Sequence, residues 1–342
     1  MKNKVLGCII GGACGDALGY PVEFCTRTNI NWQFGPDGIR AYPFGDGLIS
    51  DDTQMTLFTI DGLLKNNDGI KTVQEFEIYK ENIYQSYLDW YATQNIPFRD
   101  RNIYYNYSED SLLLNMENLY DLRAPGNTCL SALKSGKMGS IINPINDSMG
   151  CGGVMRVAPI GLCFNPEEYN EAFIGSLAAE VAASTHGHPL GYIPAAMLAL
   201  IINKLFYTNV TLETAIWSAL EATCSIFRNN SEIDKFKMGV KEAIELSKNN
   251  KEDYVNIHKI GGGWVGHEAL YIAIYCALRH EDSFEEAIVA AVNHNGDSDS
   301  TGSITGNIMG CYCGFNKIPE HFVDSLELRN LIIVLVNKLL GS

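Results

Sequence analysis

Apolar residues recur at helical spacing through most of this 342-residue chain, and no convincing run alternates as a half-buried strand would. Small apolar residues fill 4–18, with glycines at 7, 11, 12 and 15, and predict a helix packed tightly against its neighbours. Met55, Leu57, Phe58, Ile60, Leu63 and Leu64 mark a second helix. The spacing predicts further helices over 72–95, 168–184, 191–206, 211–227, 232–248, 283–293, 297–313 and 324–340. Short ones follow the turns at 123–129 and 148–159, and another follows Gly266. Residues 25–49 and 96–110 read as long loops. The Tyr-rich helix 72–95 reads as core rather than as a stacking platform. No linker, low-complexity tract or fixed-period repeat divides the chain. The expected architecture is all-α, one domain over 1–342, folded as a compact orthogonal helical bundle.

Composition narrows the function classes. With 46% hydrophobic residues the chain can bury a large core. A net charge of −15 argues against a nucleic-acid or anionic-membrane partner and suits an acidic, cation-collecting cleft. No run of 18 apolar residues stands out, so no membrane span is expected. The N-terminus resembles a signal peptide faintly, but Asp16 follows soon and the stretch reads as part of the fold. Ten scattered cysteines without a C-x-x-C suggest a reduced, cytoplasmic protein, with Cys311 and Cys313 in the core. A monomer is the default expectation.

The chemistry concentrates in His294-Asn295-Gly296-Asp297-Ser298-Asp299-Ser300-Thr301-Gly302-Ser303, two carboxylates and four hydroxyls opening a helix. A helix N-terminus favours negative charge. Hard oxygen donors without sulfur or imidazole suit Mg²⁺, Mn²⁺ or Ca²⁺ better than Zn²⁺. Alone, the cluster reads equally as an N-cap. A second acidic helix start, Ser50-Asp51-Asp52-Thr53, exceeds what one cap needs. Adjacent helical residues point about 100° apart, so Asp51 and Asp52 could face two ions, or one could cap while the other ligates. Asp16 is expected buried and hydrogen-bonded. Glu23 alone reads as a surface carboxylate; Asp100 and Arg101 have no assigned role. The turns at Gly126-Asn127-Thr128, where Asn127 or Thr128 would cap, and at Gly152-Gly153 could expose backbone N–H groups to an anion. His186 and His188 lack a third ligand for zinc and read as capping or ligand-contact residues. Trp264, after three glycines, is expected exposed enough to stack.

Gly15-Asp16-Ala17-Leu18-Gly19, Ser50-Asp51-Asp52-Thr53, Gly152-Gly153-Val154-Met155-Arg156, Thr185-His186-x-His188-Pro189 and Gly296-Asp297-Ser298-Asp299-Ser300, in that order, resemble the ADP-ribosylglycohydrolase family. The resemblance runs from about residue 5 to 314. It implies an all-helical fold with a binuclear Mg²⁺ or Mn²⁺ centre at helix N-termini. It implies Ser50, Asp51, Asp52, Asp297, Asp299 and Ser300 as metal ligands, and Glu23, Asp51 and Asp297 as catalytic carboxylates. Gly126, Asn127, Thr128, Gly152, Gly153 and His186 would hold the ADP-ribose diphosphate and riboses, with Trp264 lining the pocket. The implied activity is metal-dependent release of ADP-ribose from a modified protein, with the N-glycosidic bond to arginine expected. Alternatives are an O-linked (serine or O-acetyl) ADP-ribose hydrolase, a non-catalytic ADP-ribose binder, and an unrelated metal-dependent phosphohydrolase, which lacks the expected His-Asp pairs.

Overall fold

The computed structural model describes residues 1–65, 74–104 and 111–341. Every regular element among them is a helix or helical turn. The described residues pair in β fashion only at Gly47 with Leu326 and Gly150 with Val265. The α-helices are α1 (Lys2–Gly19), α2 (Arg27–Phe34), α3 (Asp51–Leu64), α4 (Glu75–Thr93), α5 (Arg101–Tyr104) and α6 (Asn127–Lys134). Next come α7 (Ala158–Cys163), α8 (Glu171–Ala183), α9 (Pro189–Tyr207), α10 (Leu212–Ile226), α11 (Ile233–Ser247) and α12 (Asp253–Ile260). The chain ends with α13 (Gly266–Arg279), α14 (Phe284–Val292), α15 (Ser298–Cys313), α16 (Glu320–Asp324) and α17 (Arg329–Leu339).

The pair that positions the site is α1 against α15. A Cβ on Gly7 would lie 2.0 Å from the Gly310 carbonyl oxygen, and one on Gly15 would lie 2.0 Å from that of Gly302. A Cβ on Gly19 would meet the Ser298 oxygen at 2.2 Å. Rising numbers on one helix thus meet falling numbers on the other: the two run antiparallel with backbones in contact. Glycine at every fourth position makes that approach sterically possible. The end of α1 and the start of α15 therefore lie side by side.

Helix α9 is apolar on all sides and almost wholly buried, as a central core helix must be. Lys2–Val22 and Pro189–Tyr207 are long and apolar enough to cross a membrane by length and composition, with mean hydropathies of 1.4 and 1.5. Their most apolar windows are 83% and 89% buried within the fold. An interior helix, screened from water by other helices, satisfies the same length and composition test.

Several elements depart from expectation. The predicted loop over 25–49 contains α2, capped by Thr26, whose hydroxyl accepts the Asn29 N–H. Only Ile30 of α2 is buried, so no apolar period announces it, and Gly35 at φ +90° ends it. The stretch 96–110 holds a 3-10 turn at Phe98–Asp100 and then α5; its residues 105–110 lie outside the described residues. The predicted helix 72–95 is described from Gln74 onward. The predicted helix 324–340 begins only at Arg329, after Leu328 at φ +56°, and Asp324 instead ends the separate short helix α16. The aromatic helix is core as expected: Tyr87 and Trp90 are fully buried, and Phe76 and Tyr79 pack edge-on against Phe173 and Phe164.

Candidate active site

Ser50 caps α3, its hydroxyl accepting the Asp52 N–H at 3.2 Å. Behind that cap lies Asp16 of α1, fully buried. Its carboxylate accepts N–H bonds from Ser50 and Thr53 at 3.1 Å and a bond from the Thr53 hydroxyl. Asp16 thereby locks the first turn of α3 onto α1. Asp297 caps α15 in the same manner, Oδ1 accepting the Ser300 N–H at 3.2 Å. The two acidic helix starts face each other: the Ser300 hydroxyl donates to Asp52 Oδ1 at 3.2 Å.

Between them opens a cavity of about 290 Å³ lined by Glu23, Asp51, Asp52, Asp297, Asp299 and Ser300 on its acidic side. Gly126, Asn127, Thr128, Gly152, His186 and Trp264 line the remainder, so most of the residues singled out from the sequence converge on one space. Two do not reach it. Ser50 does not line the cavity; its hydroxyl caps α3. Gly153 is buried behind the wall, where a Cβ would meet the Gly191 carbonyl oxygen at 3.0 Å. Asp100 does not line the cavity either; it forms an ion pair with Arg99 at 3.7 Å. A larger hollow of about 580 Å³, lined partly by Lys235, Lys241 and Glu242, contains none of the singled-out residues.

Three local details differ from expectation. Glu23 is 8% exposed rather than a surface group, because the 3-10 turn Tyr20–Val22 after α1 turns the chain inward beside α15. Gly126, not Asn127 or Thr128, is the cap residue of α6, with no side-chain cap bond. The Thr128 hydroxyl instead shares a 3.0 Å bond with that of Ser148, and the Gly126 N–H donates to Asp51 Oδ2 at 3.2 Å. Cys151–Gly153 is itself a 3-10 turn, and α7 begins only at Ala158, so the glycines do not open that helix. As expected, His188 caps α9, with Nδ1 accepting the Leu190 N–H at 3.1 Å. Trp264 is 45% exposed and stacks on Phe24, itself 76% exposed, with ring centroids 5.7 Å apart.

Sequence reasoning missed Cys151. Its thiol lines the cavity and donates to Asp297 Oδ2 at 2.8 Å. Only the tertiary fold brings these two residues together, and no local pattern signals the contact. Phe24 was also missed; its position beside Glu23 was the available signal.

The electrostatics of the cavity are one-sided: no Lys or Arg is among the described residues that line it. Burial, then the neighbouring carboxylates Asp297, Asp51 and Asp16, push Glu23 up to about 9. Burial, followed by Asp16 and Asp297, pushes Asp51 up to about 8 against the Gly126 N–H bond that opposes it. Asp52 and Asp299 are held well above the usual carboxylate range by burial first and their acidic neighbours second. Asp52 Oδ2 and Glu23 Oε2 are buried without any hydrogen-bond partner. Such atoms are costly to leave unpaired, and a cation is the partner that this oxygen-only set fits. Among the described residues, no three carboxylate, imidazole or thiol groups yet converge tightly enough to enclose an ion.

Comparison with known proteins defines the class. The model of the ADP-ribosylglycohydrolase family matches residues 1–342, and the chain belongs to that family of glycohydrolases. It is similar to ADP-ribosylhydrolase ARH3 of Gallus gallus, at 27% identity over 53% of this chain and 54% of that one. It is also similar to ADP-ribosylarginine hydrolase Tri1 of Serratia proteamaculans, at 24% identity over 98% of this chain and 79% of the relative. A solved structure titled "ADP-ribosylglycohydrolase-related protein complex" shares the fold, with a TM-score of 0.62 and 23% identity over 99% of this chain and 97% of that one.

Proposed function

We propose that this glycohydrolase cleaves the N-glycosidic bond between ADP-ribose and arginine on modified proteins, with two Mg²⁺ or Mn²⁺ ions as cofactors. The observation that carries the proposal is the meeting of two acidic helix N-termini across one cavity, with buried oxygens left unpaired. Asp51, Asp52, Asp297, Asp299 and Ser300 supply the donor set for the ions, and the Ser50 hydroxyl, which caps α3 through one lone pair, would join through the other. Such ions, when bound, polarise ribose hydroxyls and acidify a water.

The chain's own residues do the rest. The turns at Gly126–Thr128 and Gly150–Gly152, with His186 against the second, form a neutral wall for the diphosphate and riboses. Asp297 and Asp51, on the acidic side of the cavity, would take the proton of the attacking water. Glu23, whose Oε2 is buried and unpaired beside the Phe24–Trp264 stack, would exchange a proton with the leaving side chain. A departing guanidine is planar and cationic when protonated. An acidic cavity rimmed by exposed aromatic rings suits it. Similarity to the arginine hydrolase Tri1 along 98% of this chain supports arginine. Similarity to ARH3 over half of the chain keeps a serine-linked or other O-linked substrate as the second reading.

The test is ADP-ribose release from ADP-ribosyl-arginine protein and from ADP-ribosyl-serine peptide, each with Mg²⁺, Mn²⁺ or EDTA, alongside Asp297→Ala. Metal-dependent release from arginine alone, absent in the variant, is expected. Release from serine alone would overturn the arginine assignment. Stoichiometric ADP-ribose binding without release would make this a binding protein.

A further inference from the structure

Beneath the cavity wall lies a buried cation that the proposed chemistry does not use. Arg156 is fully buried, with its guanidinium 4.1 Å over the Tyr87 ring, and no carboxylate among the described residues pairs with it. Its Nη2 donates to the Thr185 hydroxyl at 2.6 Å, and the same hydroxyl lies 2.8 Å from His186 Nδ1. The His186 ring then presents its far edge to the glycine turn that lines the cavity. A Cβ on Gly150 would sit 3.2 Å from Nε2, and one on Gly152 would sit 3.2 Å from Cε1.

Proton inventory and distance together favour one direction for this chain. Guanidinium can only donate, so one lone pair of Thr185 Oγ1 is committed to Arg156. The hydroxyl has a single proton to give and two acceptors in range: His186 Nδ1 at 2.8 Å and the Ala182 carbonyl at 3.4 Å. Donating to Nδ1 gives the hydroxyl a bond of 2.8 Å, whereas accepting an Nδ1–H on its second lone pair would leave its own proton only the Ala182 carbonyl at 3.4 Å, the poorer arrangement. If Nδ1 accepts, a neutral imidazole must carry its proton on Nε2. Burial, and then the nearby guanidinium, keep the ring neutral.

We infer that Arg156 and Thr185 are positioning residues that lock His186 in the Nε2–H form, making it a fixed hydrogen-bond donor to an anionic oxygen lodged at the Gly150–Gly152 turn. The identification of that oxygen as a diphosphate oxygen rests on the proposed function; the direction of the relay does not. A neutral donor whose proton is set from behind binds a phosphate without itself titrating over the physiological range. Glycine at 150 and 152 leaves that edge of the ring uncovered.

The test uses the full chain labelled with ¹⁵N-histidine. Two-bond ¹H–¹⁵N correlation at pH 7 reports the tautomer, and loss of one resonance set in His186→Gln assigns it. The expected result is protonated Nε2 and bare Nδ1 in the free protein, with Nε2–H moving when ADP-ribose is added. Thr185→Val keeps the shape but removes the hydroxyl; it should mix the tautomers and weaken ADP-ribose binding about 10-fold. Thr185→Ser should restore both. A wild-type ring protonated on Nδ1, or a charged ring, overturns the inference. So does a Thr185→Val spectrum that keeps the wild-type tautomer. Should that variant not fold, the wild-type and Thr185→Ser spectra still decide. Absence of ADP-ribose binding by the wild type would count against the proposed function alone, since the tautomer is read without ligand.

Discussion

Ser300 donates its hydroxyl proton to Asp52 Oδ1 at 3.2 Å, joining residues 248 positions apart and tying the first turn of α15 to that of α3. The other oxygen of Asp52 is buried with no partner. The carboxylate is thus held in position at one atom and left bare at the other. In a fold stable by only a small margin, a bare buried carboxylate is a cost that function must explain.

Asp52→Asn should separate stability from activity. The amide removes one of the mutually repelling buried charges while keeping the side-chain shape. In EDTA the variant should melt above the wild type, by a few degrees in a chain of this size. Hydrolysis should fall on the order of 10²–10³-fold. Thermal melts with and without Mg²⁺ and initial rates on one preparation check both. A variant less stable than wild type in EDTA would show that Asp52 is not a strained, uncompensated charge.

The metal-free protein should lose stability as pH rises. Glu23 stands at about 9 and Asp51 at about 8 in the folded chain, against ordinary values of 4.5 and 3.8. A carboxyl raised on folding holds its proton more tightly in the native state than in the unfolded one. Stability is then greatest below the unfolded values and declines across about pH 4 to 9. In EDTA the melting temperature should drop by roughly 5 °C between pH 5.5 and 8.5. Mg²⁺ should restore it at the upper end, where the ligands are ionised and bind best. Differential scanning calorimetry at three pH values, with and without the metal, reads the effect. A flat profile in EDTA would mean that the acidic cluster finds its compensation within the protein.

The carboxylates were legible in the sequence because each signal is local: Ser50-Asp51-Asp52-Thr53 and Asp297-Ser298-Asp299-Ser300 both run straight into an apolar helical period. Helix α2 was not, since a surface helix with Ile30 as its one buried residue has no period to read. The fourfold glycine spacing of α1 announced close packing but could not name α15 as the partner. Glu23 looked like a surface group for the same reason, as its burial depends on which helix lies alongside. The contact of Cys151 with Asp297 and the relay from Arg156 to His186 are tertiary, and no spacing rule encodes them.

The α1–α15 contact should tolerate no added methyl group. On Gly306 a Cβ would lie 2.0 Å from the Gly11 carbonyl oxygen. Both atoms belong to helical backbones, so relief requires the helices to separate rather than a side chain to turn. Gly306→Ala should cost about 3 kcal/mol or more, seen as a lowered midpoint in urea. Activity should fall with it, because α15 carries Asp297, Asp299 and Ser300. Gly126→Ala is the control. The nearest atom to its Cβ would be Asp51 Oδ2 at 4.0 Å, so the variant should fold as the wild type does.

The Phe24–Trp264 stack should govern the leaving side chain rather than the ADP-ribose. It lies at the exposed rim, next to Glu23, while the glycine turns and His186 form the wall proposed for the diphosphate. A guanidinium over an aromatic face gains roughly 0.5–2 kcal/mol, whereas a serine hydroxyl gains no such term. Trp264→Ala should therefore lower kcat/KM for ADP-ribosyl-arginine protein about 10-fold, mainly through KM. Its affinity for free ADP-ribose should change little. Phe24→Leu should show a smaller effect of the same sign, since it removes the ring on which Trp264 rests. Steady-state kinetics on the arginine substrate, paired with calorimetric titration of ADP-ribose, separates the two subsites. If the Trp264 variant loses ADP-ribose affinity in the same proportion, the rim holds the nucleotide and is not what selects the leaving side chain.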